Sequence, residues 1–542
     1  MKKEKEEKRK KKVNKIDIAV VAFLAIFSSA FFLYFYKGPS AFGDDVVYAE
    51  TAYQIYTGMF KEDNFIFSHR FLVNFPIAFF YYLFGPSDFS ASLWSLTCAV
   101  LTVVLTYFIG TILFNRRVGF LGALLFVFFP LVGLLATASG DNIPMEFFAT
   151  LSVFFFLWGR SEKDKTKKHL KYFASGAFLF SGLLTTPEAF VMFFFFGVYA
   201  ILSYALNKEE KISFSTFYFV FGIIFAWLLI AGYEFITIND PLFFFKSQID
   251  FYSNVGKKVG EDLYAGIPGA TQDPNFYIGV MFPYQFNLNS AQDFLISFWN
   301  NLNNAENRYT GFYFYLFLIA AMLLILLKER KSYLMILWAV STIGYLEFGT
   351  MSFPKYIFMH RLERFLLIGA VPVCVTIAIF IERLIEINNP IKYFFVAFCL
   401  IVLLYPSFLI NVFWYKTNYY VKLDVANIAK FLKNQTNPVT VYAPVQETTF
   451  LKIFTNFKKD INFIPLDYMK NCSEIKDGYV VAPLSFFGLA ENTPGRSWAY
   501  GDLQQKCGFE LIQTSKAYEE TISNNTPILL NPAYAVFFYK VT

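Results

Sequence analysis

Long apolar runs separated by short polar turns set the pattern of this chain. The first run is Ile16 to Tyr36, and others cover Ala91 to Phe114, Val118 to Ala136, Ile143 to Trp158, Tyr172 to Leu184, Phe190 to Leu206, Phe214 to Ile236, Tyr309 to Leu327, Tyr333 to Phe348, Phe365 to Leu384 and Ile391 to Ile410. A hydrocarbon core of about 30 Å is crossed by a helix rising about 1.5 Å per residue, so the pattern predicts about eleven transmembrane helices. Phe71 to Phe84 is equally apolar, but its 14 residues are short for a crossing, and counting it would invert every later turn. It is read as a helix lying in the outer interface. Two expected crossings share Tyr172 to Leu206 around Pro187, so that pair should be short, tilted or broken at the proline. After Asn411 the pattern changes to a helical "LDVANIAKFLKN" followed by strand-like "VTVYA", "YVVAP", "FELIQ" and "YAVFFYKV". That segment reads as a small α/β domain.

Composition agrees with a membrane protein. The 542 residues are 56% hydrophobic and 21% aromatic, and only 16% are charged, where soluble domains carry about a quarter. The net charge of +6 resides in short clusters between apolar runs. The threading above puts 24 Lys and Arg inside and 10 in the outer loops before the C-terminal segment, which satisfies the positive-inside rule and removes any need for a nucleic-acid partner. The Lys-rich residues 1–15 form a cytoplasmic tail ahead of an uncleaved signal anchor. Residues 16–410 form the membrane domain, with long outer loops at 37–90 and 237–308, and residues 411–542 form an extracytoplasmic domain; the expected location is the cell membrane. The Asn-X-Ser/Thr triplets at Asn434, Asn471 and Asn524 all fall in that last segment. Cys98, Cys374 and Cys399 lie inside apolar runs as packing residues, whereas Cys472 and Cys507 sit in the polar segment, where an oxidising compartment would allow a disulfide.

Several ionisable residues share one expected depth, the outer membrane surface. Asp44, Asp45, His69 and Arg70 lie in the first long loop, Asp141 and Glu188 in shorter outer turns, and Arg361 and Arg364 in "HRLER". Ionisable groups converging at that level mark a candidate site. Each also has a bland account. Asp44 and Asp45 head the helix-like "VVYAETAYQIY", where carboxylates oppose the dipole, and Asp141 precedes Ile143 and Pro144 as a cap would. His69 and Arg70 could anchor an interfacial helix to headgroups, and Glu363 could neutralise an arginine of its own turn.

The order of these features resembles the GT-C membrane glycosyltransferases. A first span is followed by two acids heading a helix with Tyr48, then a His and a base before an interfacial helix, then "FGPSDFSASLWSLTCAVLTVVLTYFIGTILFNRRVGFLGALLF" and the outer turn "ASGDNIP". The likeness is to the protein O-mannosyltransferase and lipid A aminoarabinose transferase branch and covers roughly residues 16 to 200. It implies a polytopic all-α membrane domain of GT-C type with a small C-terminal α/β extracytoplasmic domain. It also implies an inverting transfer of a sugar from a polyprenyl-phosphate donor to a protein, lipid or glycan acceptor on the outer face. By the same resemblance Asp44 is the base, Asp45 the second acid and Asp141 the acid of the next outer turn. Tyr48, Arg70, Glu188, Arg361 and Arg364 would line the substrate, and His69 with Asp45 would take a divalent metal cation. The chain departs from the family pattern where prolines after His69 are missing and where Thr185-Thr186-Pro187-Glu188 lacks a lysine.

The chemistry suits these residue types. Displacing a phosphate from an anomeric carbon needs a base for the acceptor's proton and positive charge for the departing phosphate. Arginine supplies a planar fork that keeps its charge. Adjacent carboxylates repel, so either one binds its proton more tightly or a cation keeps both ionised. A transporter or lipid-linked-sugar flippase with an acidic ion site is the alternative. It would place ionisable groups near the midplane of repeated halves, and no such repeat is found.

Overall fold

The computed structural model describes residues 15–39, 44–62, 66–206, 214–250, 276–287, 289–304, 309–350, 362–466, 472–483, 507–513 and 536–541. The membrane domain contains α1 (Lys15–Tyr34), α2 (Asp44–Thr57), α3 (Phe71–Phe84), α4 (Asp88–Leu113), α5 (Arg116–Phe128), α6 (Pro130–Leu135), α7 (Asn142–Arg160) and α8 (Lys165–Leu183). It continues through α9 (Val191–Leu206), α10 (Phe214–Ile238), α11 (Phe276–Met281), α12 (Ala291–Asn303), α13 (Tyr313–Leu326), α14 (Tyr333–Phe348), α15 (Ala370–Glu386) and α16 (Ile391–Lys433). All eleven apolar runs are helical over most of their length. Among the described residues, seven helices are long and apolar enough to cross a membrane, with α3 and α13 as shorter apolar helices.

The departures from simple spans have local causes. The third run is broken into α5 and α6 because Pro130 cannot continue the ladder, and it occupies the first turn of α6 instead. Pro187 likewise opens a short 3-10 turn, Pro187–Phe190, ahead of α9. A second 3-10 turn, Glu363–Gly369, leads into α15. Residues 365–382 are buried throughout, so α15 is the central post of the bundle. Ile201, Phe217 and Ile236, by contrast, are exposed, as befits surfaces that face lipid. Helices α8 and α10 cross at glycines. A Cβ on Gly176 would fall 1.9 Å from the Phe219 carbonyl oxygen, and one on Gly222 2.0 Å from that of Phe173. Small residues permit such backbone contact, which replaces the hydrophobic drive that lipid removes. At the end of the bundle where α1 begins, Asp17 ties it together, accepting from Arg116 Nε at 2.5 Å and from the Tyr107 hydroxyl at 2.7 Å.

Helix α16 runs 43 residues without interruption. Its apolar part ends near Lys416, and the rest enters the C-terminal domain, where Val425, Ile428 and Leu432 join that domain's core. There α17 (Val445–Phe454) links β1 (Val439–Ala443) to β2 (Ile461–Pro465), and β3 (Gly478–Pro483), β4 (Glu510–Gln513) and β5 (Val536–Val541) complete a five-stranded sheet. Its order is β2-β1-β3-β5-β4, with β1 parallel to β2 and β3, and β5 antiparallel to β3 and β4. Sequence reading missed α17 and β2. Cys472 and Cys507 are joined by a disulfide.

Candidate functional site

Two acids open α2, and the apolar residues behind them set its rotation. Val46, Tyr48, Ala49 and Ala52 pack on Val73, Ile77, Ala78 and Tyr81 of α3. This leaves Asp44 facing the turn before α15, where its Oδ2 accepts from Arg364 Nη2 at 2.7 Å. Both side chains are about one-third exposed. A partly wet pair of this kind adds little stability, on the order of 1 kcal/mol or less, so its value must lie in the charges it brings together.

One turn on, the Tyr48 hydroxyl donates to Asp141 Oδ2 at 2.7 Å, and Asn142 Nδ2 donates to Oδ1 at 2.9 Å. Asp141 occupies the N-cap position of α7 but makes no capping bond, so the cap account fails. Burial pushes its carboxyl up to about 6, against the attraction of Arg364 and Arg70. Burial, then Asp141, also pushes the Tyr48 phenol far above its ordinary value, keeping it a donor. Glu188 accepts from Thr186 Oγ1, and its charge reaches Asp141. Arg70 is 3% exposed and His69 fully buried, which removes the headgroup-anchor account of both. The structure thus gathers Asp44, Tyr48, Arg70, Asp141, Glu188 and Arg364 around one another. Arg361 lies outside the described residues.

The pairing of His69 with Asp45 is corrected. His69 Nδ1 lies 3.1 Å from Glu62 Oε1, and Glu234 of α10 completes a cluster whose ligand atoms all lie within 4.8 Å of one another. Asp45 faces elsewhere: its Oδ1 lies 2.8 Å from where a Cβ on Gly140 would sit. The cluster fits a divalent cation by its own chemistry. It offers one imidazole and two carboxylates, and His69 Nε2, Glu62 Oε2 and Glu234 Oε1 are buried without hydrogen-bond partners. Sequence reading missed Glu62 and Glu234. A lone acid inside the apolar run Phe214–Ile236 was the signal available for the latter.

A sequence profile of the family described as dolichyl-phosphate-mannose-protein mannosyltransferase matches residues 68–231. No curated protein sequence matches the chain. The structure of ArnT from Cupriavidus metallidurans in the apo state superposes with a TM-score of 0.54 at 10% identity, over 97% of this chain and 98% of that one.

The fold is that of ArnT.

ArnT bound to undecaprenyl phosphate aligns equally well, with a TM-score of 0.54, 10% identity and 97% of each chain. The Archaeoglobus fulgidus oligosaccharyltransferase in complex with zinc and sulfate aligns at 0.51 and 12% identity, over 89% of this chain and 70% of that one. The architecture of a polytopic helical domain followed by a small C-terminal domain is therefore one that this membrane protein shares with them.

Proposed function

We propose that this GT-C protein is an inverting glycosyltransferase that moves a sugar from a polyprenyl-phosphate donor to an acceptor at the outer face of the cell membrane. The observation that carries the reading is the Asp44–Arg364 pair, a carboxylate ten residues beyond the end of α1 in contact with a guanidinium. The donor's tail lies in lipid, and its phosphate lies at the depth of α2. Arg364 and Arg70 bind that phosphate. As Arg364 turns from Asp44 to the phosphate, the carboxylate is released to meet the acceptor. Asp44 takes the acceptor's proton, the acceptor's lone pair forms the new bond to the anomeric carbon, and the bonding pair of the old C–O bond leaves with the polyprenyl phosphate. A single displacement inverts the anomeric centre. Phosphate needs no general acid to depart. Asp141 orients Tyr48 and offsets the two arginines.

The ArnT and oligosaccharyltransferase structures, one with a polyprenyl phosphate and one with zinc, support the donor class and the compatibility of the fold with a divalent cation. Here Glu62, His69 and Glu234 would hold the cation, which supplies positive charge that neutralises two buried carboxylates. His69 precedes Arg70 directly, so ordering the cluster also orders a phosphate-binding arginine. Purified protein equilibrated with zinc or manganese and then desalted should retain about one equivalent by elemental analysis. Glu234→Gln should lose it and lower the Tm in detergent. Failure of the unsubstituted protein to retain either metal removes the cation from the scheme.

The function itself is tested by incubating the reconstituted protein with radiolabelled polyprenyl-phosphate hexoses and pentoses and a membrane extract. Label should pass from the prenyl lipid to an acceptor. Label that only changes leaflet while staying on the lipid would favour the flippase alternative.

A further inference from the structure

The second acid of the pair and a lysine of the C-terminal domain have no part in that chemistry, yet they adjoin it. Lys422 lies on α16 beyond the apolar stretch that ends near Lys416. Its ammonium is buried without a hydrogen-bond partner. It stands 4.6 Å over the Tyr36 ring and 5.8 Å from that of Phe454. A Cβ on Gly38 would fall 2.1 Å from its Nζ, and Gly38 also has a φ of +64°, so only glycine suits that position. Asp88, Lys37 and Asp45 all act on the ammonium through their charges, and Tyr36, which faces it, donates to Asp88 at 3.2 Å. Lys37 in turn feels Asp45 and Arg364. Two further contacts bind the same domain to α2: Lys452 Nζ with Glu50 Oε1 at 3.3 Å, and Phe457 stacked on Tyr53 at 3.7 Å and 4°.

A buried ammonium without hydrogen bonds is costly, and an apolar residue of similar length would fill the space more cheaply. Cation–π contact with Tyr36 returns part of that cost. The remainder needs acids: Asp88, which accepts from the Tyr36 hydroxyl beneath the ammonium, and Asp45, in the same helical turn as Asp44, are the ones whose charge it feels. We infer that Lys422 is a positioning residue through which the C-terminal domain, seated on Tyr36 and Gly38 just ahead of α2 and joined to that helix at Glu50 and Tyr53, sets the first turn of α2 so that Asp44 stays turned to Arg364. The inference rests on the proposed transfer reaction for its kinetic consequence only.

The test compares Lys422→Met and Lys422→Arg with the unsubstituted full-length protein. Lys422→Met should lower kcat for transfer tenfold or more and leave KM for the prenyl donor within twofold, because Arg70 and Arg364 are untouched. Lys422→Arg keeps the charge and should restore most of kcat. Burial lowers the Lys422 ammonium to about 8. The rate should therefore fall as pH rises through about 8, with that limb moved upward in Lys422→Arg and absent from the low plateau of Lys422→Met. A merely structural role would instead lower Tm and move kcat and KM together. Backbone hydrogen exchange in Asp44–Thr57 reads the positioning without any assay of transfer: Lys422→Met should speed exchange in the first turn, and Lys422→Arg should not. Unchanged exchange in Lys422→Met, or unchanged kcat with the same alkaline limb, overturns the inference. If transfer is absent from the unsubstituted protein the proposed function fails, and exchange alone decides the role of Lys422.

Discussion

Asp44→Asn should abolish transfer while leaving the protein inserted, folded and able to bind its donor. The amide keeps the volume of the carboxylate, and its neighbours on α2 and α3 are held by apolar packing that does not involve it. What it loses is the ability to accept a proton, and removal of a general base costs about 10²- to 10⁴-fold in rate. The variant separates two accounts of the Asp44–Arg364 contact at 2.7 Å. If the pair served stability, the loss would appear in Tm and be small, since both groups are partly solvated. If Asp44 is the base that Arg364 guards until phosphate arrives, transfer disappears. Donor affinity then stays level or rises, because the arginine no longer has a carboxylate to leave. Turnover by the label-transfer assay and donor binding by equilibrium titration read the two quantities separately. Full turnover in Asp44→Asn would remove the residue from the chemistry.

Asp141→Asn should move stability and activity in opposite directions. Burial is the leading reason that the Asp141 carboxyl sits near 6 rather than 3.8. That displacement corresponds to about 3 kcal/mol spent on keeping it ionised at neutral pH. The folded state binds the proton more tightly than the unfolded one, so stability declines as pH rises from about 4 to about 6 and stays lower above it. A neutral amide avoids that cost. The variant should be more stable at pH 7.5, with a higher Tm in detergent, and the advantage should vanish below pH about 4, where both states of the natural residue are protonated. Transfer should nevertheless fall, because the amide gives Tyr48 a weaker acceptor than the carboxylate at 2.7 Å and leaves Arg70 and Arg364 with less opposing charge. A variant less stable at neutral pH and equally unstable in acid would show that the carboxylate is there to hold the fold.

What could be read from the chain differs by element for physical reasons. The apolar runs, the short Phe71–Phe84 helix, the break at Pro187 and four of the five strands are local features, whereas the break at Pro130 falls inside a run that reads as one span. Burial in lipid demands uninterrupted internal hydrogen bonding, so composition alone marks the helices. Helix α17 was missed because its register depends on Phe450, Leu451 and Ile453 meeting a core that includes residues of α2 and α3, and β2, which follows it, was missed with it. Six of the nine candidate site residues meet, since all were placed at one depth. Depth, however, does not give direction. Asp45 and His69 share the level of Asp44 and face other partners.

The sequence by itself determined that this chain is a membrane-embedded helical protein with a small α/β domain, and that acids and arginines crowd one surface. Apolar periodicity and charge bias act along the chain, so they are legible without a fold. Only the tertiary structure decided that Asp44 meets Arg364 across 320 residues, that Glu62 and Glu234 rather than Asp45 surround His69, and that Lys422 of the C-terminal domain is buried over Tyr36. Helices that are apolar on every side do not encode their own rotation. Glycine crossings, buried ion pairs and the central α15 settle it together, and the facing of each polar side chain follows from that packing.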